Sequence, residues 1–424
     1  MKKFSVAAVC VCLLLGLAPA GEGSGFLIYE HGAAAMAMGG AFVAVANDPS
    51  TIFHNPAGIA FLKGTQVAAG TTLIMSRSSM DLAKYPVPSQ QYWEQHEQVF
   101  YPSSFYITHS LSDRVALGFG FFTPYGLGAE WPKENPLRYL GYKDDMKTFF
   151  FNPTIAVKLA DTFSVGFGVS YIHSTVMFKT VDLVDLTAYR LGKYDVPSEL
   201  EGSGDSVGFN AGFLYKTNKL SVGFNWRSQF DIEYSGDLTL DTSAMAGLPA
   251  PFQPPTSDTG TTTFRFPNIF GLGLAYNATE KLLLSADFHY VTWSRYDKYV
   301  VDLEKLEDMV ILQNFDDSYL VRGGVQYSFT PGFALRGGLL YDQTPQPDAT
   351  ADPLLPDANR MALTGGFGWT LAGNLVLDLA FQYEPFEDRT VPNRYALQVG
   401  AINYGEGTYE TTALLFGVSL RYAF

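Results

Sequence analysis

The sequence is poor in charge and has no excess of basic residues. Only 17% of its residues are charged, and 42 acidic side chains outnumber 28 basic ones. A chain with a formal charge of −14 lacks the basic surface that neutralises nucleic-acid phosphates, so no nucleic-acid partner is expected. So little charge beside 41 glycines also argues against a coiled coil or a helical bundle.

Cysteine is almost absent, and both cysteines lie in the first residues of the chain. Cys10 and Cys12 belong to an apolar stretch that follows two lysines and precedes an Ala-Pro-Ala sequence ending at Ala20. This arrangement predicts a secretory signal peptide over residues 1–20, in preference to a buried N-terminal helix. Its removal takes away both thiols, which excludes disulfides and thiolate metal sites from the exported chain.

Long apolar runs are missing as well, because no later segment approaches the ~18 residues that a membrane-spanning helix needs. Apolar residues instead recur at every second position, as in Asn374–Glu384, which indicates half-buried strands. About 14 such strands are predicted, with ends uncertain by a few residues. They are Thr65–Met75, Ser104–Ser110, Arg114–Thr123, Phe149–Leu159, Phe163–Phe178, Ser206–Lys216, Lys219–Phe230, Phe264–Tyr276, Lys281–Trp293, Ser318–Ser328, Gly332–Tyr341, Arg360–Thr370, Asn374–Glu384 and Thr411–Phe424.

The connections between these strands alternate between short and long. Short links such as Thr217–Asn218 are followed by long ones such as Asp231–Thr263. Outer-membrane barrels have this asymmetry, with short periplasmic turns and long extracellular loops. Residues 65–424 are therefore predicted to form an all-β, 14-stranded antiparallel transmembrane β-barrel in the outer membrane of a Gram-negative bacterium. Outer-membrane lipid would surround it, and the terminal Phe424 suits recognition by the barrel assembly machinery.

The polar faces of several predicted strands carry charged residues. A membrane barrel turns its apolar face to lipid and its polar face to the lumen, the reverse of a soluble barrel. The charged residues are therefore placed in the lumen, where they would pair with one another or with a plug. They are Arg227, Asp287, Arg322, Arg336, Asp378 and Arg421.

Residues 21–64, before the first strand, are rich in glycine and alanine and do not form a strand pair. A barrel of ~14 strands has a lumen too wide for its wall side chains to fill. This segment is predicted to be a hatch inside that lumen, with Asn55, Pro56 and Ala57 as its motif. The alternative is a disordered periplasmic leader.

At this point the sequence resembles the FadL-type outer-membrane transporters of long-chain fatty acids and other hydrophobic compounds. The resemblance rests on four stretches in order: Gly25-Phe26-Leu27 through Asn55-Pro56-Ala57, Thr123-Pro124-Tyr125-Gly126-Leu127 to Glu130, Trp226-Arg227-Ser228-Gln229-Phe230 with Gly236, and Phe266-Pro267 through Trp293-Ser294-Arg295-Tyr296 followed by Leu355-Pro356-Asp357-Ala358-Asn359-Arg360. It implies passive uptake of a hydrophobic small molecule, which is captured by loops, held in a lumen pocket and released sideways when the hatch moves. It implies no enzyme activity and no cofactor.

The resemblance also assigns residues. Phe26 matches a hatch phenylalanine that contacts ligand, and Ile28 beside it is included in the candidate site. Pro124, Tyr125 and Gly126 match the end of a kinked third strand, where proline removes a ladder donor; a plain loop entry is the alternative. Apart from the resemblance, aromatic residues in the long loops are further ligand-contact candidates, namely Tyr92, Trp93 and Trp131, of which Trp131 is included in the candidate site.

One departure from the family concerns the ligand's charge. The positions that hold the fatty-acid carboxylate in the family correspond to Thr175 and Asp316 here. An acidic residue would repel a carboxylate, which favours a neutral ligand such as a hydrocarbon.

Three other functions remain open. They are a general porin for polar solutes, an adhesin, and a lipid hydrolase built around Asp287 and His289 on one lumen face. No histidine pair has metal-ligand spacing, and neither a metal site nor a catalytic site is predicted.

Overall fold

The computed structural model describes residues 25–83, 87–391 and 407–424. The predicted signal peptide and the first four residues of the predicted hatch lie outside them. The described part contains fourteen wall strands. They are β1 Thr65–Asp81, β2 Ser103–Ser110, β3 Val115–Phe122 with Gly126–Glu130, β4 Lys143–Ala160, β5 Phe163–Asp185, β6 Lys193–Lys216, β7 Leu220–Arg227 with Phe230–Leu240, β8 Ser257–Phe266 with Ile269–Asn277, β9 Leu282–Val291, β10 Ser318–Thr330, β11 Phe333–Asp342, β12 Arg360–Ala372, β13 Leu375–Pro385 and β14 Gly407–Ala423.

These strands close into a barrel. Each pairs antiparallel with its neighbours in the chain, and β1 pairs with both β2 and β14. The predicted all-β, 14-stranded barrel is therefore confirmed. Among the described residues, no helix combines the length and apolar character that crossing a membrane requires.

Short elements lie between the wall strands. They are the strands Tyr92–Glu94, Lys298–Leu303, Met309–Leu312 and Arg389–Val391 and the 3-10 helices Pro88–Gln90, Thr187–Tyr189, Ser243–Met245, Ala250–Phe252, Trp293–Arg295 and Asp348–Thr350. All four strands lie in long connections, at one end of the barrel. We call this the long-loop end; the other, which carries the short turns and Phe424, is the short-turn end.

The two faces of the wall differ as predicted. On β14, Leu414 and Phe416 are 38% and 44% exposed, while Ala413 and Leu415 between them are 2% and 1% exposed. Because successive side chains of a strand point to opposite faces, the exposed apolar row faces lipid and the buried row faces the interior.

Several strands run well past the membrane, which corrects the predicted loops. In the predicted loop Asp231–Thr263, β7 continues to Leu240 and β8 begins at Ser257. The segment Lys179–Asp205 was predicted to be a loop, but β5 and β6 continue into it and stay paired as far as Asp185 and Lys193. Spanning takes only about 9–11 residues, so much of these 23- and 24-residue strands lies outside the lipid. Strands outside lipid need no apolar outer face, so the periodicity that identified their inner parts is missing there.

Three wall strands, β3, β7 and β8, each consist of two segments separated by a short break. Lys219–Phe230 and Phe264–Tyr276 were each predicted as one uninterrupted strand, but β7 breaks at residues 228–229 and β8 at Pro267 and Asn268. Proline cannot donate to a ladder, and Asn268 joins the two breaks by accepting from the Gln229 N–H at 3.1 Å.

The N-terminal segment, residues 25–64, contacts the inner face of the wall on several sides. It contains α1 Ala33–Met36, α2 Thr51–His54 and the 3-10 helix Pro56–Phe61. α1 packs against β12, β13 and β14, whereas the 3-10 helix packs against β4, β5 and β6. The approach is close enough to require glycine in the wall, because a Cβ on Gly166 would lie 2.4 Å from the Ala57 nitrogen.

Polar side chains of the wall form hydrogen bonds with backbone groups of this segment. Thr364 accepts from the Gly39 N–H at 2.9 Å and donates to the Ala37 carbonyl at 3.1 Å. Ser419 accepts from the Ala33 N–H at 2.9 Å on the neighbouring side of the barrel. Buried backbone groups are costly to leave unpaired, so these bonds hold the segment in place.

We expect Thr364→Val to loosen the N-terminal segment without opening the barrel. The change keeps the side chain's shape but leaves the buried Ala37 carbonyl without its donor, at about 1–3 kcal/mol. It also removes one of the two acceptors of the Gly39 N–H, which keeps its bond to the Met36 carbonyl at 3.0 Å. Ion conductance in planar bilayers should rise. Thr412→Val, on the lipid-facing row of β14, is the control and should conduct as the wild type does. Equal, low conductance for both variants would contradict this role of Thr364.

Candidate functional site

A cavity of about 710 Å³ opens at the long-loop end of the barrel. Its walls are the outer parts of β5, β6, β7 and β8 together with the short strands Lys298–Leu303 and Met309–Leu312. Most side chains that face it are apolar, among them Leu200, Leu238, Leu240, Val301, Leu303 and Leu355. Its volume and lining are those of a site for a sizeable hydrophobic molecule.

The charged residues that line the cavity all have the same sign. They are Asp144, Asp182, Glu307 and Asp352, and within the described part of the chain no lysine, arginine or histidine lines it. A site for an anionic ligand would offer a cation to the ligand's carboxylate. This lining would instead repel an anionic head group, because like charges repel each other strongly in a poorly solvated pocket.

Phe26 lines the cavity and belongs to a dense group of aromatic rings beneath it. Its ring centroid lies 4.6 Å from that of Trp293 and 5.2 Å from that of Tyr296, both at edge-on angles. Further rings follow at 5.6 Å in Phe266 and 6.2 Å in Tyr125. These favourable ring geometries fix Phe26 as one side of the pocket.

A buried ionic cluster holds the chain just before Phe26. The Gly25 N–H donates to the Asp357 carboxylate at 3.1 Å. Arg360 in turn binds Asp357 at 3.0 Å and Asp342 at 2.7 Å. Burial raises the pKa of the Asp357 carboxyl, and the nearby Arg360 guanidinium opposes this rise.

The N-terminal segment also pairs with the break in β3. Leu27 forms an antiparallel bridge with Tyr125, the Ile28 N–H donates to the Pro124 carbonyl at 2.8 Å, and the Gly126 N–H donates to the Phe26 carbonyl at 3.0 Å.

The segment takes the place of a wall strand there. The ladder between β2 and β3 ends at the pair Phe105 and Phe121. Beyond that pair, the backbone of Phe26–Ile28 supplies partners for the edge of β3.

The predicted ligand and gating residues do not all reach the cavity. Phe26 lines it, whereas Ile28 and Tyr125 are buried and are not among its lining residues. Trp131 is also buried, and its indole N–H donates to the Pro353 carbonyl at 2.6 Å. The structure shows this hydrogen bond for Trp131, and its contact with a ligand stays a prediction.

Thr175 and Asp316, the positions matched to the family's carboxylate-binding residues, are not among the lining residues. The acidic character of the pocket therefore comes from other side chains.

The predicted motif residues Asn55, Pro56 and Ala57 form a compact junction. Asn55 donates to the Val43 carbonyl at 2.9 Å and accepts from the Ala57 N–H at 3.1 Å. Pro56 begins the 3-10 helix, where its missing N–H costs nothing. Ala57 accepts from Ser164 of β5 at 2.8 Å.

The charged residues assigned to the lumen lie on the inner face. Asp287 accepts from the Val43 N–H at 2.9 Å, and Arg322 donates to the Gly39 carbonyl at 3.1 Å. Asp378 binds both Arg336, at 2.7 Å, and Arg421, at 2.6 Å.

The pairing of Asp287 with His289, considered for a hydrolase, takes a different form. The His289 Nε2 atom lies 2.6 Å from the hydroxyl of Tyr29 rather than from a serine. Asp287 is bonded to the backbone of the N-terminal segment. The pair thus serves the packing of that segment.

Sequence reasoning missed most of the cavity wall, because its side chains lie in segments predicted to be loops. A signal was present, since Leu238 and Leu240 alternate with polar residues, as do Val301 and Leu303. These short alternations predict strands, but they fall outside the stretch needed to cross a membrane.

Comparisons with known proteins agree with this architecture. A family model described as outer membrane protein transport protein (OMPP1/FadL/TodX) matches residues 16–424. Outer membrane protein P1 of Haemophilus influenzae is 24% identical over 475 residues, covering 100% of both chains. The long-chain fatty acid transport protein of Escherichia coli O6:H1 is 22% identical over 410 residues, covering 90% of both.

Solved structures share the fold. A FadL homologue from Pseudomonas aeruginosa superposes with a TM-score of 0.80 at 19% identity, covering 94% of this chain and 100% of that one. The toluene transporter TodX of P. putida gives 0.71 at 15% identity, covering 93% and 99%. Because the family match spans nearly the whole sequence, this chain belongs to the OMPP1/FadL/TodX family of outer membrane transport proteins.

Proposed function

We propose that this protein is an outer-membrane channel for passive uptake of large, neutral hydrophobic molecules. The observation that carries the proposal is the cavity of about 710 Å³, apolar in most of its lining and acidic in all of its charged lining residues. Relatives include a long-chain fatty acid transport protein and a toluene transporter. The cavity suits the size of the former ligand and the neutrality of the latter.

Capture begins at the exposed apolar strand Met309–Leu312. Val310 is 58% exposed at the long-loop end and also lines the cavity, so one surface joins the outside to the pocket. An apolar ligand moving along it stays in contact with apolar side chains, each buried CH₂ being worth about 0.8 kcal/mol.

Release requires the N-terminal segment to act as a hatch. Phe26 closes the pocket, and the same stretch of chain covers the edge of β3 at Pro124–Gly126. If ligand displaces Phe26, that edge loses its partners, and an opening forms through the wall toward the membrane. Exit through the wall into lipid suits an apolar ligand, because such a ligand gains no favourable interaction from entering water.

The packed segment disfavours a general porin. Its residues are almost all buried against the inner face of the wall, which leaves little room for a water-filled path. Low conductance alongside hydrophobic uptake therefore distinguishes the two functions.

The charge of the pocket predicts selectivity between two matched probes. Pyrene is neutral, whereas 1-pyrenebutanoate carries a carboxylate on a similar ring system. We expect the purified protein to bind pyrene about tenfold more tightly, or about 1.4 kcal/mol, as measured by fluorescence titration in detergent. Tighter binding of the carboxylate would overturn the proposed neutral ligand.

Phe26→Ala should weaken pyrene binding by roughly tenfold, since removing the ring takes away apolar contact area. The barrel should remain folded, as shown by a heat-dependent shift in gel mobility. Phe416→Ala, which removes a lipid-facing ring, is the matched control and should bind normally. Unchanged affinity in the Phe26 variant would mean that this ring only blocks the channel.

A disulfide between Leu27→Cys and Tyr125→Cys should lock the hatch to the break in β3. The two residues face each other in an antiparallel bridge, which brings their Cβ atoms close. Oxidised protein in liposomes should bind pyrene but not transport it, and reduction should restore transport. Equal uptake in the oxidised and reduced states would contradict release by this route.

A further inference from the structure

Arg227 is a buried cation without an acidic partner in the described part of the chain. It ends the first segment of β7 and is 6% exposed on the inner face of the wall. Its Nη2 atom donates to the Phe53 carbonyl of α2 at 3.2 Å, while its Nη1 atom has no hydrogen-bond partner among the described residues.

Hydrogen bonding to α2 does not by itself explain a charge at this place. The neighbouring carbonyls of the same helix, those of Ile52 and His54, accept from the neutral amides of Asn210 and Asn225 at 3.4 and 2.6 Å. A glutamine could serve Phe53 in the same way. A buried charge is expensive, so its presence calls for a second interaction.

That interaction is with three aromatic rings. The guanidinium carbon lies 5.0 Å from the ring centroid of Phe53, 5.2 Å from that of Phe122 and 5.8 Å from that of Phe150. All three distances are within the range of cation–π attraction, which is strongest where water is excluded.

The three rings belong to three different elements. Phe53 lies in the N-terminal segment, Phe122 is the last residue of β3 before its break, and Phe150 lies on β4 opposite Phe122. The Phe150 ring also lies 6.2 Å from that of Tyr125 within the break. Arg227 therefore contacts both the N-terminal segment, which would move during release, and β3, which would open.

We propose that Arg227 is a positioning residue that couples displacement of the hatch to opening of β3. Displacing α2 takes away the guanidinium's hydrogen-bond acceptor and one of its rings. The remaining attraction to Phe122 then changes the position of the strand end beside Pro124. This inference rests on the proposed function, and it adds the residue through which the two movements are linked.

The experiment uses thiol labelling at two sites in full-length protein carrying C10A and C12A. Ala60→Cys reports on the hatch, and Thr123→Cys reports on the break; both residues are buried at rest. Labelling rates with a charged maleimide are measured in liposomes with and without pyrene. With Arg227 present, pyrene should raise both rates; if it raises neither, the proposed function fails.

Substitutions at Arg227 then test the coupling alone. Arg227→Gln keeps a donor for Phe53 but removes the charge, so the pyrene-induced rise should persist at Ala60→Cys and be lost at Thr123→Cys. Arg227→Lys keeps the charge and should restore the second rise. A rise at both sites in Arg227→Gln, or a failure of lysine to rescue, would overturn the coupling while leaving the transport function intact.

Asn225→Ala is the matched control. It removes a bond to the adjacent carbonyl of α2 without touching the rings. Both pyrene-induced rises should survive in this variant. Loss of the rise at Thr123→Cys would show that any weakened anchor has the same effect, and the specific role of Arg227 would be rejected.

Discussion

The need to pair every backbone polar group determines this structure more than any other interaction. In lipid an unpaired N–H or C=O costs several kcal/mol, which is why the wall closes on itself through β1 and β14. The same requirement applies inside, where the N-terminal segment pairs part of its backbone within its own turns and leaves other groups, such as the Ala33 N–H and the Ala37 carbonyl, for the wall to pair. Wall side chains such as Thr364 and Ser419 supply those partners.

At the break in β3, the wall and the N-terminal segment pair each other's backbone polar groups. Pro124 interrupts a wall strand, and its neighbours would be left with open backbone groups. On one side of the break, the backbone of Phe26–Ile28 forms hydrogen bonds with these groups. On the other side, the Thr148 hydroxyl accepts from the Tyr125 N–H at 3.1 Å. At the break, this stretch of chain therefore completes the wall without being one of the fourteen wall strands.

Much of this could be predicted from residue order alone. Alternation of apolar residues over about ten positions identified all fourteen strands, because lipid demands an apolar outer face. The same demand could not reveal the outer halves of β5 and β6, which are surrounded by water. The pocket was missed for this reason and for a second one, because side chains such as Leu238 on β7 become neighbours of Leu303 only through long-range pairing. Phe26 was predicted through the family resemblance, whereas the contacts of Arg227 with three rings could be seen only in the three-dimensional structure.

The seam between the first and last strands also bears on how the molecule is assembled. The Ser419 hydroxyl, which accepts a hydrogen bond from the Ala33 N–H, lies on β14, which is synthesised after the other thirteen wall strands. The amino-terminal stretch, made first, therefore gains part of its docking surface only when the carboxyl-terminal strand arrives. Docking of that early stretch is therefore completed only after β14 has joined the sheet.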